Sequence, residues 1–157
     1  MTGSKMAIKI DLQNEESIVA LPGEDKFCRW VDGALQKSYP ALEQTIRIVG
    51  EAESRLLNSQ FRGKESPTNV LSFPTDSEYL DYDCLGDLVI CAPVVEAEAL
   101  AQEKPVESHW AHMVVHGMLH LQGFDHQDDT EAFAMETLET EILSTLGYSN
   151  PYNGAHD

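Results

Sequence analysis

Several things are scarce in this 157-residue sequence, and each scarcity narrows what the chain can be. No apolar run approaches the roughly 20 residues of a membrane span, and no basic-then-apolar leader opens the chain. We therefore expect a cytoplasmic protein with no membrane partner. The cysteines (Cys28, Cys84 and Cys91) are three in number, widely spaced and in no C-x-x-C pair. They imply neither a disulfide framework nor a thiolate metal site, and Cys91, set in an apolar run, reads as a small core residue. There is no phosphate-cradling glycine loop, internal repeat or low-complexity tract, and no Ser-His-Asp or Cys-His triad spacing. Basic residues are few: 10 Lys and Arg stand against 27 Asp and Glu, for a net charge of −17. None follows Lys104. Binders of polyanions normally carry a basic surface. Any such groove here must draw its positive charge from the first two-thirds of the chain and from a bound cation. The acidic excess is otherwise an ordinary device for solubility.

The length suits one domain that buries about 70% of its unfolded surface without staples. Residues 1–5 and 149–157 read as flexible ends. Residues 7–12 alternate Ile8, Ile10 and Leu12 with Lys9 and Asp11, the period of a half-buried strand. After Pro22-Gly23, a helix is predicted over 25–37, with Phe27, Val31 and Ala34 on one face and Trp30 beside them. Residues 46–49 read as a strand, and 51–59 as a helix with Ala52, Leu56 and Leu57 inward. A short strand is predicted over 70–73. It follows a polar loop holding Arg62, Lys64 and Pro67-Thr68-Asn69, in which Thr68 and Asn69 read as loop-fixing residues. The acidic, aromatic stretch 77–83 reads as a surface loop or lid. Residues 85–92 form a nearly continuous apolar run, short enough for a buried strand. Asp87, its odd polar member, is either a partner of a ligand histidine or a strand-end hydrogen-bonder. Pro93 opens a helix to about Glu103, a second helix covers 107–122, and a third runs from Asp128 to Gly147. Asp128 with Glu131 resembles a capping box. Met135, Leu138, Ile142 and Leu146 make the apolar stripe of that last helix. Glu136 and Glu139 lie near it and read as a solvated acidic face, with the orienting of ligands as the alternative.

The chemistry concentrates in residues 116–126, H-G-M-L-H-L-Q-G-F-D-H. Side chains four apart on a helix lie about 40° from each other, so His116 and His120 project from one face, one turn apart. Gly123 can take a positive φ and stop the helix, and the turn can then return His126 as a third ligand. Three neutral imidazoles with a free fourth position are the donor set of a catalytic zinc site. We expect one Zn2+ per chain, exchangeable for Ni2+ or Co2+. His109 and His112 fall on the same helix face. His112 is open to three roles, as fourth ligand, proton carrier or packed partner, of which the packed bystander fits a catalytic site best. The ligand spacing also resembles that of the metzincin peptidases. Those enzymes place a glutamate base directly after the first histidine, where this chain has Gly117.

The same run resembles the H-G-x-L-H-L-x-G-(Y/F)-D-H motif of the YbeY family, bacterial metal-dependent endoribonucleases of ribosomal RNA maturation. A second block is similar too: Arg62, four variable residues, then P-T-N-V-L-S-F-P over 67–74. A third, L-G-D-L-V-I-C over 85–91, looks like the family's L-G-D-(I/L)-V-I-(C/S). The resemblance covers residues 62–147 in ordered blocks, and the first sixty residues agree only in pattern. It implies that Arg62 is a functional residue, and we take Arg62 and His116 as catalytic and His116, His120 and His126 as metal ligands. It further implies cleavage of single-stranded RNA, maturation of the 16S ribosomal RNA 3′ end, and ribosome quality control. The expected partners are single-stranded RNA, ribosomal RNA on ribosomal particles, and ribosomal proteins.

The order of predicted elements, strands early and long helices late, gives an α+β (mixed α/β) fold with one small mixed sheet of about four strands and five or six helices. A zinc-dependent endoribonuclease is the leading function. A divergent zinc metallopeptidase without its glutamate base and a non-catalytic zinc domain attached to the ribosome are the alternatives.

Overall fold

Alternation of Ile8, Ile10 and Leu12 does build a strand, β1 (Ala7–Gln13), and it lies at one edge of a four-stranded sheet. The computed structural model describes residues 7–39, 41–75 and 84–152. The expected loop or lid at 77–83 lies outside them, as do residues 1–5 and His156. Among the described residues the elements run β1, α1 (Glu24–Ala34), β2 (Ala41–Val49), α2 (Glu51–Arg62), β3 (Val70–Pro74), β4 (Gly86–Cys91), α3 (Ala92–Ala101), α4 (Val106–Leu121) and α5 (Asp129–Leu146). The sheet order is β1-β2-β4-β3, with β1, β2 and β4 parallel and β3 antiparallel to β4. This is the α+β fold with a mixed sheet.

Period two divides each central strand between two faces. Leu42, Ile46 and Ile48 of β2 join Leu88 and Ile90 of β4 in the main core, together with Phe27, Trp30 and Val31 of α1 and Trp110, Val114, Met118 and Leu119 of α4. Val49, Leu71, Val89 and Cys91 form a smaller cluster on the other face, under Leu57 of α2. Helix α4 is thus buried over most of its surface, histidine face included.

Several boundaries and faces differ from the sequence reading. α2, expected over 51–59, runs on to Arg62, so the arginine read as part of the polar loop is the last residue of the helix. β2 begins at Ala41, five residues before the expected Ile46, because Gln44 is accepted inside: its Nε2 donates to the carbonyls of Thr45 and Gly86. α1 ends at Ala34, three residues short of the expected Lys37. On α2 the inward residues are Ser54 and Asn58, not Ala52 and Leu56, which are exposed; Leu57 alone of the expected three turns inward, half-buried. The polar pair is inward because it holds the next loop. Asn58 Nδ2 donates to Ser66 O at 2.8 Å, and Ser54 Oγ both donates to Thr68 O and accepts from Thr68 N.

Candidate metal centre

Helix α4 ends where the sequence places its stop. Gly123 has φ +102°; its N–H bonds His120 O, and the N–H of Phe124 bonds Leu119 O, both at 3.0 Å. This pair of bonds is a Schellman closure, and it turns the chain so that residues 124–126 pass in front of the last helical turn. The result gathers the three expected histidines. The Nε2 atoms of His116 and His120 approach to 3.1 Å, and one ring nitrogen from each of His116, His120 and His126 lies within 4.8 Å of the others. Ligand nitrogens about 2.0–2.1 Å from a tetrahedral zinc are roughly 3.3 Å apart, so the pair on α4 already has the spacing of two such ligands. Burial and the neighbouring His116 and His126 push the His120 pKa down, towards the neutral form a ligand needs. The donor set therefore fits zinc.

These histidines line one side of a cleft of about 450 Å³. Arg62, Lys64, Thr68 and Asn69 line the same cleft, so the structure brings Arg62 and the histidine trio to one cavity. Arg62 sits in the last turn of α2, and Gly63, with φ +71°, ends that helix directly after it. The loop that follows is pinned at both ends. Ser54 and Asn58 hold it from α2, and Asn69 Nδ2 donates to Glu98 of α3 at 3.1 Å while Asn69 Oδ1 accepts from Val70 N. Asn69 is thus loop-fixing, as the sequence suggested. Ser72 Oγ donates to Gly117 O and ties β3 to α4. Asp125 is the one carboxylate among the described lining residues, and its Oδ1 accepts from His126 N.

The largest departure from expectation is Glu139. Read as part of a solvated acidic face, it is fully buried, while Glu136 is exposed. Its Oε2 lies 2.6 Å from His116 Nδ1, and its Oε1 2.8 Å from His112 Nε2. Tyr152 donates a short hydrogen bond to the same Oε1. Burial alone would raise the Glu139 pKa, but the bonds from His112 and His116 outweigh it and hold the carboxyl at about 2. Part of the expected tail is therefore in place: residues 148–152 turn back, with Tyr148 donating to Glu107 and Lys104 Nζ donating to Pro151 O. His112 is a packed partner of this cluster, and His109 turns aside to Glu98 Oε1 at 2.8 Å. Asp87 is on the other side of the sheet, exposed beside Thr45 and Arg47, and partners no histidine among the described residues. The only sequence signal that could have found Glu139 is its place on α5 between the apolar Met135 and Ile142, four residues before it and three after.

Gly117, in the position where metzincins carry their base, faces the sheet. A Cβ there would lie 2.7 Å from Leu88 Cδ2 and 3.2 Å from Val70 Cγ2. The glycine is what allows α4 to approach β3 and β4 this closely.

Comparison with known proteins agrees with the motif reading and extends it. The family described as Endoribonuclease YbeY matches residues 10–147, which includes most of the first sixty residues as well as the three motif blocks. Among solved structures, the chain is similar to the solution structure of TM1509 from Thermotoga maritima. The two are 24% identical, the match covers 92% of this chain and 98% of that one, and the TM-score is 0.49.

Proposed function

The chain belongs to the YbeY endoribonuclease family, and we propose that it is a zinc-dependent endoribonuclease specific for single strands, acting through a single hydrolase domain spanning 1–157. Its substrate in this reading is ribosomal RNA on ribosomal particles, at the 3′ end of 16S RNA and in ribosome quality control. The observation that carries the proposal is the meeting, in one cleft, of two imidazoles from the end of α4 and a third from the turn after it with Arg62 from the end of α2.

His116, His120 and His126 would hold the ion. When bound, zinc supplies a Lewis acid and a means of generating hydroxide near neutral pH. The chain's own groups do the rest. Arg62 offers a planar fork of donors to the phosphoryl oxygens, where negative charge grows as the phosphodiester is attacked. Lys64 adds a second positive charge to the same wall. The loop of residues 66–69, fixed from α2 and α3, keeps that wall in register with the histidines. Preorganisation of this kind is what lets a donor stabilise the transition state more than the ground state.

A peptidase reading is weakened by Gly117. A glutamate in its place would run into Leu88 and Val70 instead of facing the cleft. The test is cleavage by zinc-loaded and chelator-stripped protein of single-stranded RNA, duplex RNA, ribosomal particles and casein. We expect the loaded protein to cut single strands well above duplex and to leave casein whole, and the stripped protein to cut nothing. Zinc-dependent casein hydrolysis would put the peptidase reading first. No cleavage of any RNA, particles included, would leave a non-catalytic zinc domain.

A further inference from the structure

A buried carboxylate on α5 sits directly behind the candidate ligand set, and nothing in the mechanism above uses it. Glu139 is 0% exposed and lies among three potential donors drawn from two separate stretches of chain. They are His112 and His116 on α4, and Tyr152 in the segment after α5. A buried carboxylate is tolerated only when its lone pairs are met, and three contacts at hydrogen-bond distance meet them. His112 Nε2 also lies 3.2 Å from the Tyr152 hydroxyl, so the donors are packed against each other as well as against the acid. The segment carrying Tyr152 is held independently, through Lys104 Nζ to Pro151 O and through Thr140 Oγ1 of α5 to Asn150 Oδ1.

We propose that Glu139 is the positioning residue of the metal centre, fixing the tautomer and ring orientation of His116, and that His112 and Tyr152 serve to hold Glu139 in place. The inference rests on the three-histidine centre described above. An ionised carboxylate can only accept hydrogen bonds. Its contact with His116 Nδ1 therefore places the imidazole proton on that atom and leaves the Nε2 lone pair facing His120 and the cleft. A neutral imidazole in the other tautomer would present an N–H to the ion and could not bind it. Carboxylates behind ligand histidines act in this way, and their loss weakens metal affinity by roughly 10–100-fold. Here the device reaches further along the chain, because Tyr152 brings residues 148–152 into the support of the centre.

The experiment compares the parent with Glu139→Gln, Glu139→Asp and Tyr152→Phe. Long-range 1H–15N spectra of the metal-free proteins read the His116 tautomer. Titration with Co2+ against a chelating dye, with the visible cobalt spectrum, reads affinity and ligand geometry. Thermal unfolding of the metal-free proteins reports any general loss of structure. The parent should hold His116 as the Nδ1–H tautomer. Glu139→Gln should lose that preference and bind Co2+ about 10–100-fold more weakly, with an altered cobalt spectrum. Glu139→Asp should recover part of both, and Tyr152→Phe should cost roughly two- to tenfold, the scale of one hydrogen bond. Unchanged tautomer and affinity in Glu139→Gln, whatever happens to its unfolding temperature, would reduce Glu139 to a structural residue. A parent that binds no Co2+ would overturn the centre and this proposal together. His112, His116 and Glu139 also have ligand atoms within 4.8 Å of one another. Loss of Co2+ from His112→Ala with full retention by His126→Ala would seat the ion there and overturn the assignment.

Discussion

His126 is the most exposed of the three imidazoles, with half of its side chain open to solvent, whereas His116 keeps less than a quarter. Exposure makes His126 the ligand whose contribution most needs a direct test. Elemental analysis should find about one zinc per chain in the parent and none retained after dialysis in His116→Ala, His120→Ala or His126→Ala. Full retention in the His126 variant would remove the third ligand. Gly117 carries the second prediction at this scale. Gly117→Glu should destabilise the fold by about 3 kcal/mol or more, since it overpacks the α4–sheet contact and buries a charge, and it should hydrolyse no casein. A stable variant with peptidase activity would contradict the reading of that contact. The trio was legible in sequence because its logic is local: a four-residue spacing on a helix and a glycine stop. Glu139 was legible only as the less favoured alternative, an acid that orients ligands, because its partner His116 lies 23 residues earlier. An acidic residue on a helix rich in glutamate reads as solvated until the packing of α5 on α4 is known.

Helix ends, rather than helix faces, assemble the cleft. α2 delivers Arg62 and stops at Gly63; α4 delivers His116 and His120 and stops at Gly123. At φ +102° and with nothing within 4 Å of a built Cβ, Gly123→Ala meets only a backbone cost, about 1–2 kcal/mol for the left-handed conformation. Because the turn aims His126, zinc affinity should fall along with thermal stability. A variant that loses stability and keeps affinity would show that the turn does not position the ligand. A pH effect belongs to the junction of α3, α4 and the 66–69 loop. Burial would raise the Glu98 pKa, but the hydrogen bonds from His109 and Asn69 win and lower it below 4.5. Its stabilising contribution is then fully present above pH 4.5 and is lost as pH falls through the depressed value. Unfolding of parent and Glu98→Gln should therefore differ at pH 7 and converge on acidification; a difference independent of pH would mean the carboxylate's charge is not what stabilises the junction. The element types were readable from periodicity, while two faces were not. Gln44 inside β2 and Ser54 with Asn58 inside α2 are polar residues buried by backbone partners, and polarity patterns place such residues outside.

Across the whole molecule, charge is divided along the chain. The ligand and support helices lie in a stretch, 105–157, with no Lys or Arg, whereas Arg62 and Lys64 come from the first half. The cleft is where the two meet. With a net charge of −17, long-range attraction to free RNA is absent, so cleavage of naked RNA should be slow; the local attraction of Arg62 and Lys64 for phosphate should weaken with salt, and cleavage should rise on ribosomal particles whose proteins supply cations. Two of the three blocks that made the family recognisable, 62–74 and 116–126, hold nearly all of the cleft's residues, and the third, 85–91, is the central strand β4; the earlier part of the chain supplies core, whose sequence is free to vary within its pattern. The most direct measurement of the central claim is the rate of single-stranded RNA cleavage by parent, Arg62→Ala and Arg62→Lys proteins, each matched for zinc content and fold. If Arg62 stabilises charge in the transition state, Arg62→Ala keeps its zinc and loses roughly 10²-fold or more in rate. Arg62→Lys should recover only part, since a point charge cannot make the forked contact. Cleavage by Arg62→Ala as fast as the parent's would contradict the account, leaving the arginine a solvated helix end and the cleft without its phosphoryl partner.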